Sequence, residues 1–114
     1  MWWRKKLGEV RSFVRKIKYK CQKFKYGMSD DETWSLDTSL ARLILPRLKR
    51  FRELNNGFPP HFTMETWNAA IDHMIEAFEF YASEEQYNCT ERSIHRRAEK
   101  GVMLFGRHFK HLWW

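Results

Sequence analysis

A strict heptad pattern near the N-terminus constrains the fold of this chain most. Apolar residues follow one another there at alternating spacings of four and three positions. This spacing is typical of one helix with a continuous apolar stripe, and it predicts a helix over about residues 2–26 that ends at Gly27. We define the seam as Trp3, Leu7, Val10, Val14, Ile17, Cys21 and Phe24.

Basic residues border this seam. The flanking heptad positions are basic with one exception, and they are Arg4, Lys6, Arg11, Phe13, Lys18, Lys20 and Lys25. Residues 1–27, which we call the basic arm, contain ten Lys or Arg residues and one acid, Glu9, whereas the whole chain carries +7. A parallel homodimer along the seam would oppose like charges, so a simple two-stranded coiled coil is disfavoured. The arm instead favours an acidic helix, an anionic surface or nucleic acid as its neighbour.

Three further helices are predicted after the arm. The second helix starts near Ser29 with a capping box, and Pro46 kinks or splits it. The third helix covers about residues 64–83 and is capped by Thr63, and the fourth covers about residues 91–112 and is capped by Thr90. The apolar face of the fourth helix is Ile94, Ala98, Gly101, Phe105, Phe109 and Leu112. Gly101 and Gly106 within this helix indicate close helix contact or a bend.

These segments predict an all-α protein with a basic helical arm, residues 1–27, and a three-helix body, residues 28–114. A length of 114 residues fits one domain, and 43% hydrophobic residues exclude a wholly disordered chain. The longest aliphatic run, Leu43 to Leu45, is too short for a membrane span, and no secretory signal follows the charged N-terminus. Two cysteines favour a reduced, cytosolic protein.

A basic cluster around Pro46 is the candidate ligand-binding site. Its Lys and Arg residues are Arg42, Arg47, Lys49, Arg50 and Arg52. Neighbouring aromatic rings could stack on a base while guanidinium groups hold phosphate. The residues we expect to bind a ligand are Trp34, Arg42, Arg47, Arg50 and Phe51. The alternative is a solvated basic face.

The basic arm supplies a second candidate surface. Arg4, Lys5, Arg11, Arg15 and Lys18 are the expected contacts to nucleic acid or another anion. Alternatively, the seam packs against the body, and its basic edges neutralise the acidic third helix. A further alternative is an anionic membrane, with Trp at the interface and Lys on the polar face, although the heptad period favours packing against protein.

Metal-ligand spacings occur but lack partners. Glu76-x-x-Glu79 matches half of the magnesium motif of helical nucleotide pyrophosphatases, and no second acidic pair follows it. His73-x-x-Glu76 and His108-x-x-His111 have one-turn spacing, but surface histidines are the simpler interpretation. We therefore predict no catalytic residue, no metal and no cofactor. Magnesium-dependent nucleotide hydrolysis stays as a weaker alternative.

The chain also resembles small proteins encoded in the genomes of tailed bacteriophages. The resemblance lies in the run GMSDDETWSLD over residues 27–37, in ILPRLKRF over residues 44–51, around Trp67 and Phe78, and in LFGxxF over residues 104–109. Most members of this group carry no assigned activity. The resemblance implies expression in the cytoplasm of an infected bacterium.

These observations favour a binding protein over an enzyme. The expected function is the capture of a phosphate-bearing nucleotide, and sequestration of a host immune signal is one use a phage would have for it. The alternatives are nucleic-acid binding by the basic arm and a protein-interaction or virion accessory role. Six Trp residues, including Trp2, Trp3, Trp113 and Trp114, exceed what a core of this size hides, so we expect a homo-oligomer.

Overall fold

The computed structural model describes residues 2–114, which are mostly helical and contain no strand. The α-helices are α1 (Trp2–Tyr26), α2 (Leu36–Leu54), α3 (Met64–Ala82), α4 (Glu85–Asn88) and α5 (Arg92–Arg107). Two 3₁₀ helices cover Asp30–Thr33 and Phe109–His111. The predicted all-α class is confirmed, as is the long N-terminal helix. The short helix α4 was not predicted.

The chain divides into two compact units, one ending at Leu36 and one covering Asp37–Trp114. From here on, the body means the second unit, Asp37–Trp114. In the first unit, α1 stops at Gly27, whose φ of +80° is the left-handed conformation typical of a helix end. The Gly27 N–H donates to the Lys23 carbonyl at 2.9 Å. The predicted end of the arm helix is therefore confirmed, and this unit extends beyond the predicted arm to include the following turn.

Side chains of α1 hold that turn in place. The Gln22 amide donates to the Asp30 carboxylate at 2.9 Å and accepts from the Asp30 N–H at 2.9 Å. Lys23 pairs with Glu32 at 3.4 Å. The Trp34 ring meets the edge of Tyr19 at a centroid distance of 5.8 Å. The first unit is thus a helix with its C-terminal turn folded back on it.

The helix predicted to start near Ser29 begins differently. The Ser29 N–H donates to the Glu32 carboxylate at 2.6 Å, as expected for a capping box, and this bond lowers the pKa of Glu32. The helix that it starts is a four-residue 3₁₀ turn, and α2 begins only at Leu36. The predicted position of the α-helix start is therefore wrong, because the same cap also serves a 3₁₀ turn.

Within α2, Pro46 does not break the helix. The helix is continuous from Leu36 to Leu54, so a split near Leu45 is excluded, while a bend at Pro46 stays a prediction. Proline supplies no N–H to the carbonyl four residues earlier, which weakens the helix locally. One residue further on, the Arg47 guanidinium donates to the Leu43 carbonyl at 2.8 Å.

The core of the body centres on α3. Trp67, Ile71 and Met74 are fully buried, and they pack with Ala41 and Leu48 of α2. The predicted cap of α3 is confirmed: the Thr63 hydroxyl accepts from the Thr66 N–H at 3.2 Å, and the Thr66 hydroxyl accepts from the Thr63 N–H at 2.8 Å. This cap fixes the start of the helix that carries most of the buried apolar surface.

Close contact between α3 and α5 depends on Gly101. A Cβ atom at this position would lie 2.7 Å from the His73 carbonyl oxygen and would also clash with the Ala77 side chain. The predicted close helix contact is therefore present at Gly101. A Cβ atom at Gly106 would meet nothing within 4 Å, so that glycine is not required by packing.

The ends of α5 differ from the prediction. The residue before the helix is Glu91 rather than Thr90, and its side chain makes no capping hydrogen bond. The α-helix ends at Arg107, and a 3₁₀ turn replaces its predicted last turn. Phe109, in the 3₁₀ turn, is 65% exposed instead of buried. Ile94, near the start of α5, is also exposed, at 41%.

Candidate functional site

A cavity lined by two arginines lies in the body. Its volume is about 470 Å³, which is within the range of small-molecule sites. We call it the Arg47–Arg50 cavity. Its lining residues are Ile44, Arg47, Leu48, Arg50, Phe51, Leu54, Phe105, Leu112 and Trp114.

One face of α2 supplies the polar side of this cavity. Three of the lining residues lie three, four and seven positions after Arg47, namely Arg50, Phe51 and Leu54. At these spacings, all four residues share one face of the helix. Phe51 packs on the core, which fixes the face, while Arg47 and Arg50 remain exposed at the rim. The sequence pattern could therefore place these side chains together before any tertiary contact was known.

Each guanidinium uses one terminal nitrogen within the protein. Arg47 donates to the Leu43 carbonyl at 2.8 Å, and Arg50 donates to the Glu53 carboxylate at 2.7 Å. A guanidinium has five N–H donors, so most donors of both groups are left for a ligand. The Arg50–Glu53 pair is exposed on both sides, and such pairs are weak in water.

The other two predicted ligand residues lie elsewhere. The Arg42 Nε atom donates to the Ala82 carbonyl at 3.1 Å, which ties α2 to the end of α3. Trp34 belongs to the first unit, where it contacts Tyr19. Three of the five predicted residues, Arg47, Arg50 and Phe51, therefore line one cavity.

Sequence reasoning missed the far wall of this cavity. Phe105 of α5 and the C-terminal residues Leu112 and Trp114 complete the lining. Trp114 also lines a smaller cavity of about 240 Å³ that includes Phe58 and Trp113. The only sequence signal for Trp114 was its place among the terminal tryptophans, because its position depends on contacts between segments far apart in the chain.

Charge distinguishes the Arg47–Arg50 cavity from two other large cavities of the body. A cavity of about 610 Å³ carries Asp37 and Glu99 as its charged lining. Another, of about 410 Å³, is lined by three glutamates and one arginine, Arg97. Negative potential disfavours an anionic ligand in either of these two.

The glutamate pair of α3 is engaged in ion pairs. The Arg97 Nε atom lies 3.0 Å from both carboxylate oxygens of Glu76, and this hydrogen bond lowers the pKa of Glu76. Glu79 pairs with Lys49 at 3.1 Å. Among residues 2–114, no group of three or more His, Cys, Asp or Glu residues is placed to hold a metal ion.

The histidines make structural contacts. A ring nitrogen of His73 is 3.0 Å from the Arg97 carbonyl, and one of His95 is 2.8 Å from the Cys89 carbonyl. His108 meets Phe62 and Trp67 edge to face, at centroid distances of 5.1 and 5.7 Å. These contacts leave His108 only partly exposed, so it is part of the packed body rather than a simple surface histidine, and its burial lowers its pKa.

The predicted anion contacts of the arm all lie exposed on α1. These residues are Arg4, Lys5, Arg11, Arg15 and Lys18. None of the residues from Trp2 to Tyr26 is buried, so the seam is exposed as well. In the part of the chain that the structure describes, no helix is long and apolar enough to cross a membrane.

Comparison with known proteins gives no match: no family model, no curated protein and no solved structure is similar to this chain. The resemblance to phage-encoded proteins therefore stays a prediction.

Proposed function

We propose that the body binds a phosphate-bearing aromatic ligand, a nucleotide, in the Arg47–Arg50 cavity. The observation that carries this proposal is the meeting of two guanidinium groups with the rings of Phe51, Phe105 and Trp114 around one cavity. Arginine binds phosphate oxygens through paired N–H donors, and aromatic side chains stack on bases of any type. Both parts of a nucleotide thus have matching groups in the lining.

The cavity rim suits an anion that enters from water. Phosphate would take the free donors of Arg47 directly. At Arg50 the phosphate would compete with Glu53. This exchange costs little free energy, because the Arg50–Glu53 pair is exposed to water. The apolar wall formed by Leu48, Leu54 and other residues would cover the base.

The lining favours capture over turnover. The lining combines cationic hydrogen-bond donors with aromatic and aliphatic side chains, which are groups that hold a ligand. Sequestration of a nucleotide is therefore the role we propose. In an infected bacterium, a host immune signalling nucleotide is the kind of ligand that such a protein would remove.

Native mass spectrometry of the protein purified from bacteria tests retention of a ligand. We expect additional mass of a few hundred to about a thousand daltons per site, lost on denaturation. Titration with AMP, a cyclic dinucleotide and inorganic phosphate then defines which parts of the ligand are recognised. Quenching of tryptophan fluorescence on titration, absent in Trp114→Leu, would place the base beside this ring.

A matched pair of double variants provides the control. Arg47→Ala with Arg50→Ala removes the cavity arginines, whereas Arg92→Ala with Arg96→Ala removes the same charge from exposed positions of α5. We expect the first pair to weaken nucleotide binding by more than about tenfold and the second to change it little. Equal losses in both, or no binding of any nucleotide, would contradict the proposal.

We also infer that copies of the body associate through the C-terminal aromatic residues. Phe109, Trp113 and Trp114 are each at least 65% exposed, and clustered exposed aromatic residues mark interaction surfaces. The same native mass spectra report the oligomeric mass. Trp113→Ser is expected to shift an oligomer toward monomer, and a monomeric wild-type protein would contradict this inference.

A further inference from the structure

The helix α1 combines an exposed apolar face with a dense basic charge. Its seam residues are exposed, and the exposed fraction is 46% for Ile17 and 95% for Phe24. Residues 1–27 supply ten basic side chains against one acid. Aliphatic residues such as Val10 and Val14 gain nothing from exposure to water, so a surface of this composition fits a partner that is both apolar and anionic.

We propose that α1 lies flat on an anionic lipid bilayer, with the seam inserted between the headgroups and the basic residues at the phosphate level. The seam covers about 100° of the helix circumference, as expected for an interfacial helix. Arg11 and Lys18 border it on one side, and Lys6 and Lys20 border it on the other. Because Lys and Arg lie on both borders, insertion of the seam places cations beside the lipid phosphates on each side of the helix.

The N-terminal tryptophans agree with this placement. Trp2 and Trp3 are 73% and 56% exposed. Lys6 lies 5.0 Å from the Trp2 ring centroid, and Arg4 lies 5.4 Å from that of Trp3. Tryptophan prefers the headgroup region of a bilayer, where one edge is apolar and the other is wet. The first turn of α1 thus presents the aromatic and cationic groups that this region accepts.

A second copy of α1 is a poorer partner for the seam. In a parallel pair the flanking positions of one helix face those of the other, and both sets are basic. In an antiparallel pair each flanking set faces its own copy, and the charges are again alike. The heptad spacing does not oppose the bilayer, because an ideal helix drifts only about 20° per heptad and the seam stays on one face over three heptads.

Nucleic acid is also a poorer partner. Its phosphates would neutralise the basic residues, but Leu7, Val10, Val14 and Ile17 cannot stack on bases as aromatic rings do. These four side chains would stay in water on a bound strand. A bilayer accommodates the charge and the aliphatic seam together.

Vesicle binding of the full chain tests the proposal. The probes are vesicles of phosphatidylcholine alone and with about 30% phosphatidylglycerol, in about 0.1 M salt. We expect at least tenfold tighter binding to the anionic vesicles. Val14→Glu in the seam and Ser12→Glu on the opposite face make the same charge change, so they separate insertion from simple attraction.

The two variants should differ in magnitude. Ser12→Glu adds one negative charge near the surface and should weaken binding about fivefold. Val14→Glu adds the same charge and also removes an inserted side chain, so we expect a loss of about a hundredfold. Val14→Ser tests the apolar contribution without a charge change, and circular dichroism in solution confirms that each variant keeps α1 helical.

Equal effects of Val14→Glu and Ser12→Glu would overturn the proposal, because the seam would then be outside the bilayer. Failure to bind anionic vesicles would also overturn it. Tighter binding to a single-stranded oligonucleotide of about 20 nucleotides than to the vesicles, with Val14→Ser unchanged, would assign α1 to nucleic acid instead. None of these outcomes bears on Arg47 and Arg50, which keeps the two proposals separately testable.

Discussion

Arg97 of α5 places its Nε atom 3.0 Å from each carboxylate oxygen of Glu76 of α3. In a pyrophosphatase-like site, Glu76 would have to hold magnesium. In this structure its carboxylate pairs with Arg97. Both side chains are more than half exposed, so the pair stabilises the body only modestly. The Glu76 carboxylate nevertheless contacts a side chain of the neighbouring helix α5.

The Glu76–Arg97 pair predicts a small, pH-dependent effect of Glu76→Gln. The hydrogen bond from Arg97 lowers the pKa of Glu76 below its ordinary value of 4.5. The folded protein thus binds this proton more weakly than the unfolded chain, so the stabilisation is complete above 4.5 and disappears as the pH falls through the lowered pKa. Melting temperatures of both proteins should differ slightly at pH 7 and converge as the pH falls from 4.5 through the lowered pKa.

Magnesium provides the control for this interpretation. Because Glu76 pairs with Arg97, added magnesium should leave the melting temperature of the wild-type protein unchanged. A rise in melting temperature with magnesium that Glu76→Gln removes would support the hydrolase alternative and contradict the structural role.

Gly101 and Gly106 form a matched pair for testing the contact between α3 and α5. Gly101→Ala would place a Cβ atom 2.7 Å from the His73 carbonyl, so it should destabilise the body by about 2 kcal/mol despite the better helix propensity of alanine. Gly106→Ala meets open space and should stabilise it by up to about 1 kcal/mol. Urea unfolding at pH 7 measures both, and equal effects would show that α3 and α5 are not in close contact.

His108 predicts a loss of stability on mild acidification. Its packing against Phe62 and Trp67 buries the ring, and burial, with smaller contributions from His111 and Arg107, lowers its pKa. The unfolded chain takes up a proton near the ordinary value of 6.5, whereas the folded protein does so only at lower pH. Stability should therefore be complete above 6.5 and fall as the pH decreases through the window down to the lowered pKa.

His108→Phe tests this prediction because it keeps an aromatic ring and removes the proton. The decrease in melting temperature between about pH 7 and pH 5.5 should be smaller in His108→Phe than in the wild type. The control is His61→Asn, which removes an exposed histidine whose φ of 71° suits asparagine. The same reduction in both variants would show that His108 is not the group responsible.

Local signals in the sequence predicted much of this structure. The heptad seam predicted α1, and the capping residue Thr63 predicted the start of α3. The basic cluster around Pro46, with its neighbouring aromatic residues, predicted Arg47, Arg50 and Phe51 among the residues of one site. Each of these depends on residues within a few turns of one another, where helical periodicity alone fixes the geometry.

The failures have a common cause in contacts that local patterns do not encode. Ser29 and Glu32 form the same cap whether a 3₁₀ turn or an α-helix follows, so the start of α2 was misplaced. Arg42 stays a predicted ligand contact, and its bond to the Ala82 carbonyl was not predicted because it depends on the packing of α3. Trp114 completes the cavity through the fold of the C-terminal segment, and no spacing rule places it there.

The two glycines of the first unit predict opposite responses to alanine. Gly27 has a φ of +80°, which is strained for alanine, so Gly27→Ala should weaken the end of α1 by about 1 kcal/mol. Gly8 lies inside α1, and a Cβ atom there would meet nothing within 4 Å, so Gly8→Ala should strengthen the helix by a similar amount. Helicity followed by circular dichroism during heating compares the two.

The Gln22–Asp30 contact supplies an independent readout of the same turn. If Gly27→Ala disturbs the reversal of the chain, Gln22→Ala should add little to it, because the turn no longer presents Asp30 to α1. In the wild-type background, Gln22→Ala alone should destabilise the turn, since it removes two hydrogen bonds of 2.9 Å. If the losses of stability from Gly27→Ala and Gln22→Ala add fully, the left-handed conformation of Gly27 and the packing of the turn on α1 are not coupled.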